Sequence, residues 1–324
     1  MMMRGRFAPS PSGKMHIGNA GCALLSWLQV RKAGGSFILR IEDIDRGRSR
    51  VEYIKQLIED LKWLGLDWDE GPDCGGPFGP YIQSARTELY EAAFEQLKEK
   101  GHLFPCFCSR KDLKMLASAP HGRDSEGPVY PGICRHLPEE EQAVKTRIKT
   151  PSWRYNTESV RAVQFTDLVL GDQYFPAGFG GDFVVKRADG LFSYQLAVVV
   201  DDALMGITHV TRGMDLLDST PRQIWLYEAL GHAAPCFSHI PLLFGPDGTR
   251  LSKRHGADIT IEALRKAGAR PEAVIGYLAF LYRIIDRFEP LKPTELIPLF
   301  HLTKIPKAHL VVEDLKQISS LKLS

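Results

Sequence analysis

Three stretches of this sequence carry residue types and spacings that could do chemistry. The first is His16-Ile17-Gly18-Asn19, set between a short apolar run that ends at Phe7 and an amphipathic run from Gly18 to Ala33. Strand, turn and helix in that order aim the free N–H groups of a helix N-terminus at the strand's carboxyl end, which favours an anion there. Gly18 lacks a Cβ and lets a ligand approach the backbone. The second is the cationic segment Arg250-Leu251-Ser252-Lys253-Arg254, delivered by the turn Gly245-Pro246-Asp247-Gly248-Thr249. The third is Cys106-Phe107-Cys108, closed by Cys134 in Tyr130-Pro131-Gly132-Ile133-Cys134. Two thiols in C-x-C spacing with a later third give three of the four ligands of a tetrahedral zinc site. Tyr130 or His136 would be the fourth, and on chemistry alone His136 is the commoner ligand.

Elements must position these residues. Ala23, Leu24, Trp27, Leu28 and Val30 give the Gly18–Ala33 run an apolar helical face, and Gly34-Gly35 stops it. Ser36 to Ile41 reads as a buried strand, with the charged run Glu42-Asp43-Ile44-Asp45-Arg46 at its carboxyl end. In a doubly wound sheet that end faces the ligand crevice. Helices are expected over Glu52–Leu64 and Arg86–Lys100. Gly181 to Arg187 reads as a strand before an Asp189-Gly190 turn. The continuous apolar run Tyr194–Val200 is expected to be a strand buried on both faces, ending in Asp201-Asp202. His209–Gly213 is a further strand, and Pro221 suits the first turn of a helix reaching Leu230. Helices follow over Ile261–Ala267 and Pro271–Tyr282, and the tail from Glu289 to Ser324 is helical in part.

These motifs together resemble the class I aminoacyl-tRNA synthetases. His16-Ile17-Gly18-Asn19 is similar to the HIGH signature, and Arg250 to Arg254 to KMSKS, Lys253 matching the second lysine and Arg250 replacing the first. Arg6-Phe7-Ala8-Pro9-Ser10-Pro11, Arg40-Ile41-Glu42-Asp43-Ile44-Asp45 and Tyr81-Ile82-Gln83-Ser84 resemble the glutamate-specific branch, with Ile44 where that branch has Thr. Gly181-Asp182-Phe183, Tyr194 to Asp202, and Arg212-Gly213-Met214-Asp215-Leu216-Leu217-Asp218-Ser219-Thr220-Pro221-Arg222-Gln223 are most similar to the glutamyl-Q tRNA(Asp) synthetases within it. Lys253-Arg254-His255-Gly256-Ala257 is closer to ordinary glutamyl-tRNA synthetases.

The resemblance implies an α/β fold: a Rossmann-like, doubly wound parallel sheet with a zinc-bearing insertion and a small helical C-terminal region. It divides the chain into 1–100 and 191–248, the halves of the catalytic domain, 101–190, the insertion, and 249–324, the KMSKS-like loop and a helical stem-contact region. It implies ATP-dependent activation of L-glutamate, with Mg2+ accompanying the ATP, and transfer of glutamate to queuosine in tRNA(Asp). His16, Asn19 and Lys253 would be catalytic. Pro9, Gly18, Arg250, Leu251, Ser252 and Arg254 would complete the ATP motifs. Arg6, Ser10, Glu42, Tyr194 and Arg212 would bind glutamate, Arg212 taking the side-chain carboxylate and Glu42 the ammonium. A guanidinium grips a carboxylate through two parallel hydrogen bonds, and glutamine would leave an arginine unpaired. For the metal the resemblance favours Cys106, Cys108, Cys134 and Tyr130, whereas some glutamyl-tRNA synthetases use a His two residues past the last Cys, the place of His136. The queuosine acceptor is implied by this likeness and by the chain stopping where a glutamyl-tRNA synthetase would begin its anticodon-binding domain; alternatives are a truncated glutamyl-tRNA synthetase charging the tRNA 3′ end and a non-catalytic zinc or RNA-binding relative.

Composition bounds these readings. A chain of 324 residues, 44% hydrophobic and 25% charged, can bury ordinary cores and is not of disordered type. A net charge of +2 neither requires nor excludes RNA binding. No apolar run is long enough to cross a bilayer, and Met1 to Gly5 lack the apolar core of a secretory signal. A cytoplasmic monomer is expected, in which the six cysteines (the three above with Cys22, Cys74 and Cys236) are thiols.

Overall fold

A computed structural model describes residues 2–45, 47–109, 112, 129–251 and 259–313. Its centre is a four-stranded parallel sheet in the order β2-β1-β8-β9, with β1 at Arg4–Phe7, β2 at Ser36–Leu39, β8 at His209–Gly213 and β9 at Cys236–Ile240. Alternate residues of each strand face opposite cores. Phe37 and Leu39 join Phe7, Ile240 and the helix α1 (Ile17–Lys32) in one core, which extends to the Pro271–Leu281 helix. Ile38 and Val210 point the other way, onto the helices Thr87–Glu99, Tyr194–Leu204 and Thr220–Leu230. Burial on both faces is what a parallel sheet requires, and the sheet is doubly wound. The strand order reverses between β1 and β8, where a crevice opens at the carboxyl ends.

Between β2 and β8 the chain builds smaller sheets. β3 (Leu103–Cys106), β4 (Ser152–Tyr155) and β7 (Phe183–Lys186) form one antiparallel sheet, and β5 (Val163–Asp167) and β6 (Gly171–Phe175) a hairpin. The Leu168 N–H donates to the Phe237 carbonyl at 2.9 Å, laying that hairpin's end against β9. Near the C-terminus β10 (Leu243–Phe244) pairs with β11 (Leu310–Val311). Past Glu289 the only α-helix among the described residues is Pro293–Leu296.

One expectation is overturned. Tyr194–Val200 is not a strand but most of the helix Tyr194–Leu204. A continuous apolar run has no period to tell a buried strand from a helix buried all round. The start signal decides it: the Ser193 hydroxyl accepts the Leu196 N–H at 3.4 Å as an N-cap. Asp201 and Asp202 therefore lie inside a helix beneath the sheet rather than at a strand tip. Among the described residues no helix is long and apolar enough to cross a membrane.

Candidate active site

A cavity of about 420 Å³ occupies the crevice above β1 and β8. Arg6, Pro9, Ser10, His16, Gly18, Asn19, Glu42, Tyr194, Arg212, Arg250 and Leu251 all line it. Ser252, Lys253 and Arg254 lie outside the described residues, as do Arg46 and the Pro120–Gly127 loop.

His16 is the N-cap of α1, and its Nδ1 accepts the Asn19 N–H at 3.4 Å. The place a Cβ on Gly18 would take lies 3.2 Å from the His16 ring. The glycine thus makes room for the folded-back imidazole as well as for a ligand. His16 also bridges to Thr260, and the Ile261 N–H donates to the Met15 carbonyl at 2.9 Å. Lys14 pairs with Glu262 at 2.5 Å. The turn that opens α1 is thereby tied to the chain that follows the cationic segment. Arg250 pairs with Asp215 at the cavity wall.

The arginines of the cavity are held in two ways. Arg6 Nε donates to Asp202 at 3.2 Å. Arg40, fully buried in the chain past β2, donates to Asp202 at 2.6 Å and to Glu42 at 3.1 Å. Burial pushes the Glu42 carboxyl up despite Arg40 and Arg6 beside it. Arg212 is 4% exposed, and among the described residues no carboxylate pairs with it. Its Nε donates to His239 Nε2 at 3.0 Å, its Nη1 to Gln223 Oε1 at 2.7 Å and its Nη2 to Thr220 Oγ1 at 2.8 Å. Its charge lies 5.1 Å from the centre of the Phe237 ring. Desolvation pulls its pKa down. A guanidinium has five N–H groups, so two remain for a ligand.

Cys106, Cys108 and Cys134 bring their sulfurs within 4.8 Å of one another, Cys108 and Cys134 at 3.7 Å. The Tyr130 oxygen lies 3.5 Å from Cys106 Sγ and 3.8 Å from Cys108 Sγ. Ligands at zinc–sulfur and zinc–oxygen bond lengths in a tetrahedron stand about 3.5–3.8 Å apart, so the donor set fits a metal ion. His136 is not in this group: it is exposed and bonds Glu158 at 3.3 Å. A second cleft, of about 740 Å³, runs from Cys106 and Cys108 past Lys149 and Arg187 to Tyr194, which borders both cavities.

Comparison with known proteins agrees with this architecture. The family model of class I tRNA synthetases (E and Q), catalytic domain, matches residues 2–315. The chain belongs to this family. It is 62% identical over 307 residues to the glutamyl-Q tRNA(Asp) synthetase of Symbiobacterium thermophilum, 94% of each chain being covered. It is 48% identical over 313 residues to the protein of that name from Nitratidesulfovibrio vulgaris, covering 96% of this chain and 95% of that one. The crystal structure of glutamate-tRNA synthetase from Elizabethkingia anophelis superposes with a TM-score of 0.87 at 31% identity, over 99% of this chain and 70% of that one. The fold is the class I glutamyl-tRNA synthetase fold.

Several residues at the site were given no role by the sequence, although all but His239 lie in stretches that carry the resemblance. Asp202 and Arg40 neutralise charge under the cavity, and His239, Gln223 and Thr220 hold Arg212. A histidine between Phe237 and Ile240 in a short strand is compatible with a buried imidazole that needs partners, but the sequence does not say which.

Proposed function

We propose that this protein activates L-glutamate with ATP and transfers the glutamyl group to the queuosine base of tRNA(Asp). A glutamate carboxylate oxygen attacks the α-phosphorus in line and pyrophosphate leaves. A hydroxyl of the queuosine cyclopentenediol then attacks the glutamyl carbonyl, loses its proton, and AMP leaves. Both steps build charge on oxygens that the site must position and neutralise.

The observation that carries this reading is Arg212: a buried cation with two unused N–H groups and, among the described residues, only neutral acceptors, bordering the cavity that His16 and Asn19 also line. It is suited to the side-chain carboxylate of glutamate. Glu42, bonded to Arg40 on one side, faces the amino group, with Arg6, Ser10 and Tyr194 completing the pocket. His16 and Asn19 take the phosphates at the N-terminus of α1, which with Pro9, Gly18, Arg250, Leu251, Ser252 and Arg254 makes up the ATP site. Lys253 closes on the phosphates from the other side. Mg2+ accompanies ATP. Cys106, Cys108, Cys134 and Tyr130 hold a structural zinc ion, which pins an insertion spanning 101–190 between the catalytic halves 1–100 and 191–248. The segment 249–324 supports the cationic loop. The second cleft, sharing Tyr194, receives the RNA. The protein works as a cytoplasmic monomer.

The test is glutamate-dependent ATP–pyrophosphate exchange without RNA, followed by transfer to tRNA(Asp) whose 3′-terminal hydroxyls are blocked. Exchange without RNA, and transfer that requires queuosine, are the expected results. Charging of the 3′ end of unmodified tRNA(Glu) in place of that transfer contradicts the proposal.

A further inference from the structure

Arg212 and His239 are directly opposite each other on the paired strands β8 and β9. The contacts of His239 determine its tautomer. Its Nδ1 lies 2.6 Å from Asp167 Oδ2, and a carboxylate only accepts. Its Nε2 lies 3.0 Å from Arg212 Nε, and a guanidinium only donates. The proton is therefore on Nδ1 and the lone pair on Nε2. Asp167 is itself fixed. Its Oδ1 accepts the backbone N–H of Val169 and of Leu170, each at 2.9 Å, and its two oxygens share the backbone N–H of His239. Asp167 and His239 have no exposed side-chain surface. Burial holds the imidazole neutral, its pKa lowered to about 4.

We propose that Asp167 and His239 are positioning residues for glutamate selection, Asp167 setting the His239 tautomer that aims Arg212. This rests on the reading of Arg212 as the group that takes the substrate's side-chain carboxylate. A carboxylate placed directly on Arg212 would aim it equally well but cancel the charge that glutamate needs. Interposing a neutral imidazole fixes the guanidinium through Nε and leaves its charge for the ligand. Asp167 comes from the β5–β6 hairpin, so that hairpin reaches the amino-acid pocket through one side chain.

Asp167→Asn tests this sharply. The backbone donors at Oδ1 hold the amide oxygen there and turn the amide nitrogen toward His239 Nδ1. A donor at that place moves the histidine proton to Nε2, where it opposes the Arg212 Nε–H. In RNA-free pyrophosphate exchange, Asp167→Asn is expected to raise the glutamate KM about tenfold to hundredfold. The ATP KM should not change, and the preference for glutamate over glutamine should fall. His239→Gln offers Arg212 an amide oxygen and has no tautomer, so adding Asp167→Asn to it should have no further effect on KM. A purely structural Asp167 would give the same loss in both backgrounds. Arg212→Ala, run alongside, separates the two ideas. If it raises the glutamate KM while Asp167→Asn does not, the positioning role is wrong and the Arg212 reading stands. If Arg212→Ala leaves that KM unchanged, the Arg212 reading itself fails and the positioning role falls with it. Should Asp167→Asn not fold, 15N spectra of the histidine-labelled wild type still decide. The resonances missing from His239→Gln must show a protonated Nδ1 and a bare Nε2, and a proton on Nε2 overturns the proposal.

Discussion

Arg6 and Arg212 lie on the neighbouring strands β1 and β8, are each 4% exposed and border one cavity, yet they are held in opposite ways. On the β1–β2 side, Arg6 and the Arg40 beyond it share Asp202, and Arg40 has Glu42 as well. On the β8–β9 side, Arg212 meets an imidazole, an amide and a hydroxyl. Removing one partner of a buried ion pair leaves an uncompensated charge, whereas a cation that already lacks a counter-ion bears that cost in the free protein. The first side of the crevice is thus built for rigidity. The second keeps an unspent charge, which a carboxylate ligand would neutralise.

The largest effect should come from breaking the first side. Asp202→Asn leaves Arg6 and Arg40 without their shared anion and is expected to cost about 3–5 kcal/mol of stability, read from denaturant unfolding. Next is Cys134→Ser, which should abolish stoichiometric zinc in the purified protein. It should also remove the stabilisation that bound metal supplies, about 2.7 kcal/mol where zinc stands a hundredfold above its Kd. Glutamate activation should suffer less than stability, because the thiols do not line the cavity that Arg212 borders; a selective loss of activation would place them closer to the chemistry. Arg212→Met sharpens the contrast with Asp202→Asn. Its effect on stability should stay within about 1 kcal/mol, because relief of desolvation offsets the three hydrogen bonds lost.

The same contrast has a pH dependence. His239 has a folded pKa of about 4, below its ordinary 6.5. Between those values the unfolded chain binds the extra proton, so His239 makes stability fall as the pH is lowered through that window. Asp60, raised to about 6 by burial, acts in the opposite sense as the pH falls from there toward its ordinary 3.8. Comparing wild type with His239→Gln removes the Asp60 contribution. The stability gap between them should narrow from pH 6.5 to 4, and a constant gap would show that the imidazole is not held neutral.

Much of this was legible from sequence, for physical reasons that differ by region. The turn at His16 is written locally: strand, glycine, helix, with the cap residue in the motif itself. The thiol cluster is nearly as local, although the sequence left the fourth donor open between Tyr130 and His136, and the two residues part only in space. Tyr194–Val200 was misread because a helix buried on every side loses its period. The groups that hold the arginines were not legible at all. Asp167 and His239 are 72 positions apart, and Arg40 and Asp202 are 162 apart. Arg40 and Asp202 meet through the parallel sheet and the helix packed on it, and Asp167 meets His239 because the antiparallel β5–β6 hairpin lies against β9.

Selection of a carboxylate is proposed to rest on the unneutralised charge of Arg212. It is tested most directly by the ratio of kcat/KM for glutamate to that for glutamine in RNA-free pyrophosphate exchange, measured for wild type and Arg212→Met. A site that desolvates a charged partner rejects an analogue lacking the matching group by about 10⁴-fold or more. A wild-type ratio of that order is expected, with a collapse toward unity in Arg212→Met through loss of glutamate activity. A ratio that survives the substitution would place the selecting charge elsewhere, with Arg6 the next group to test.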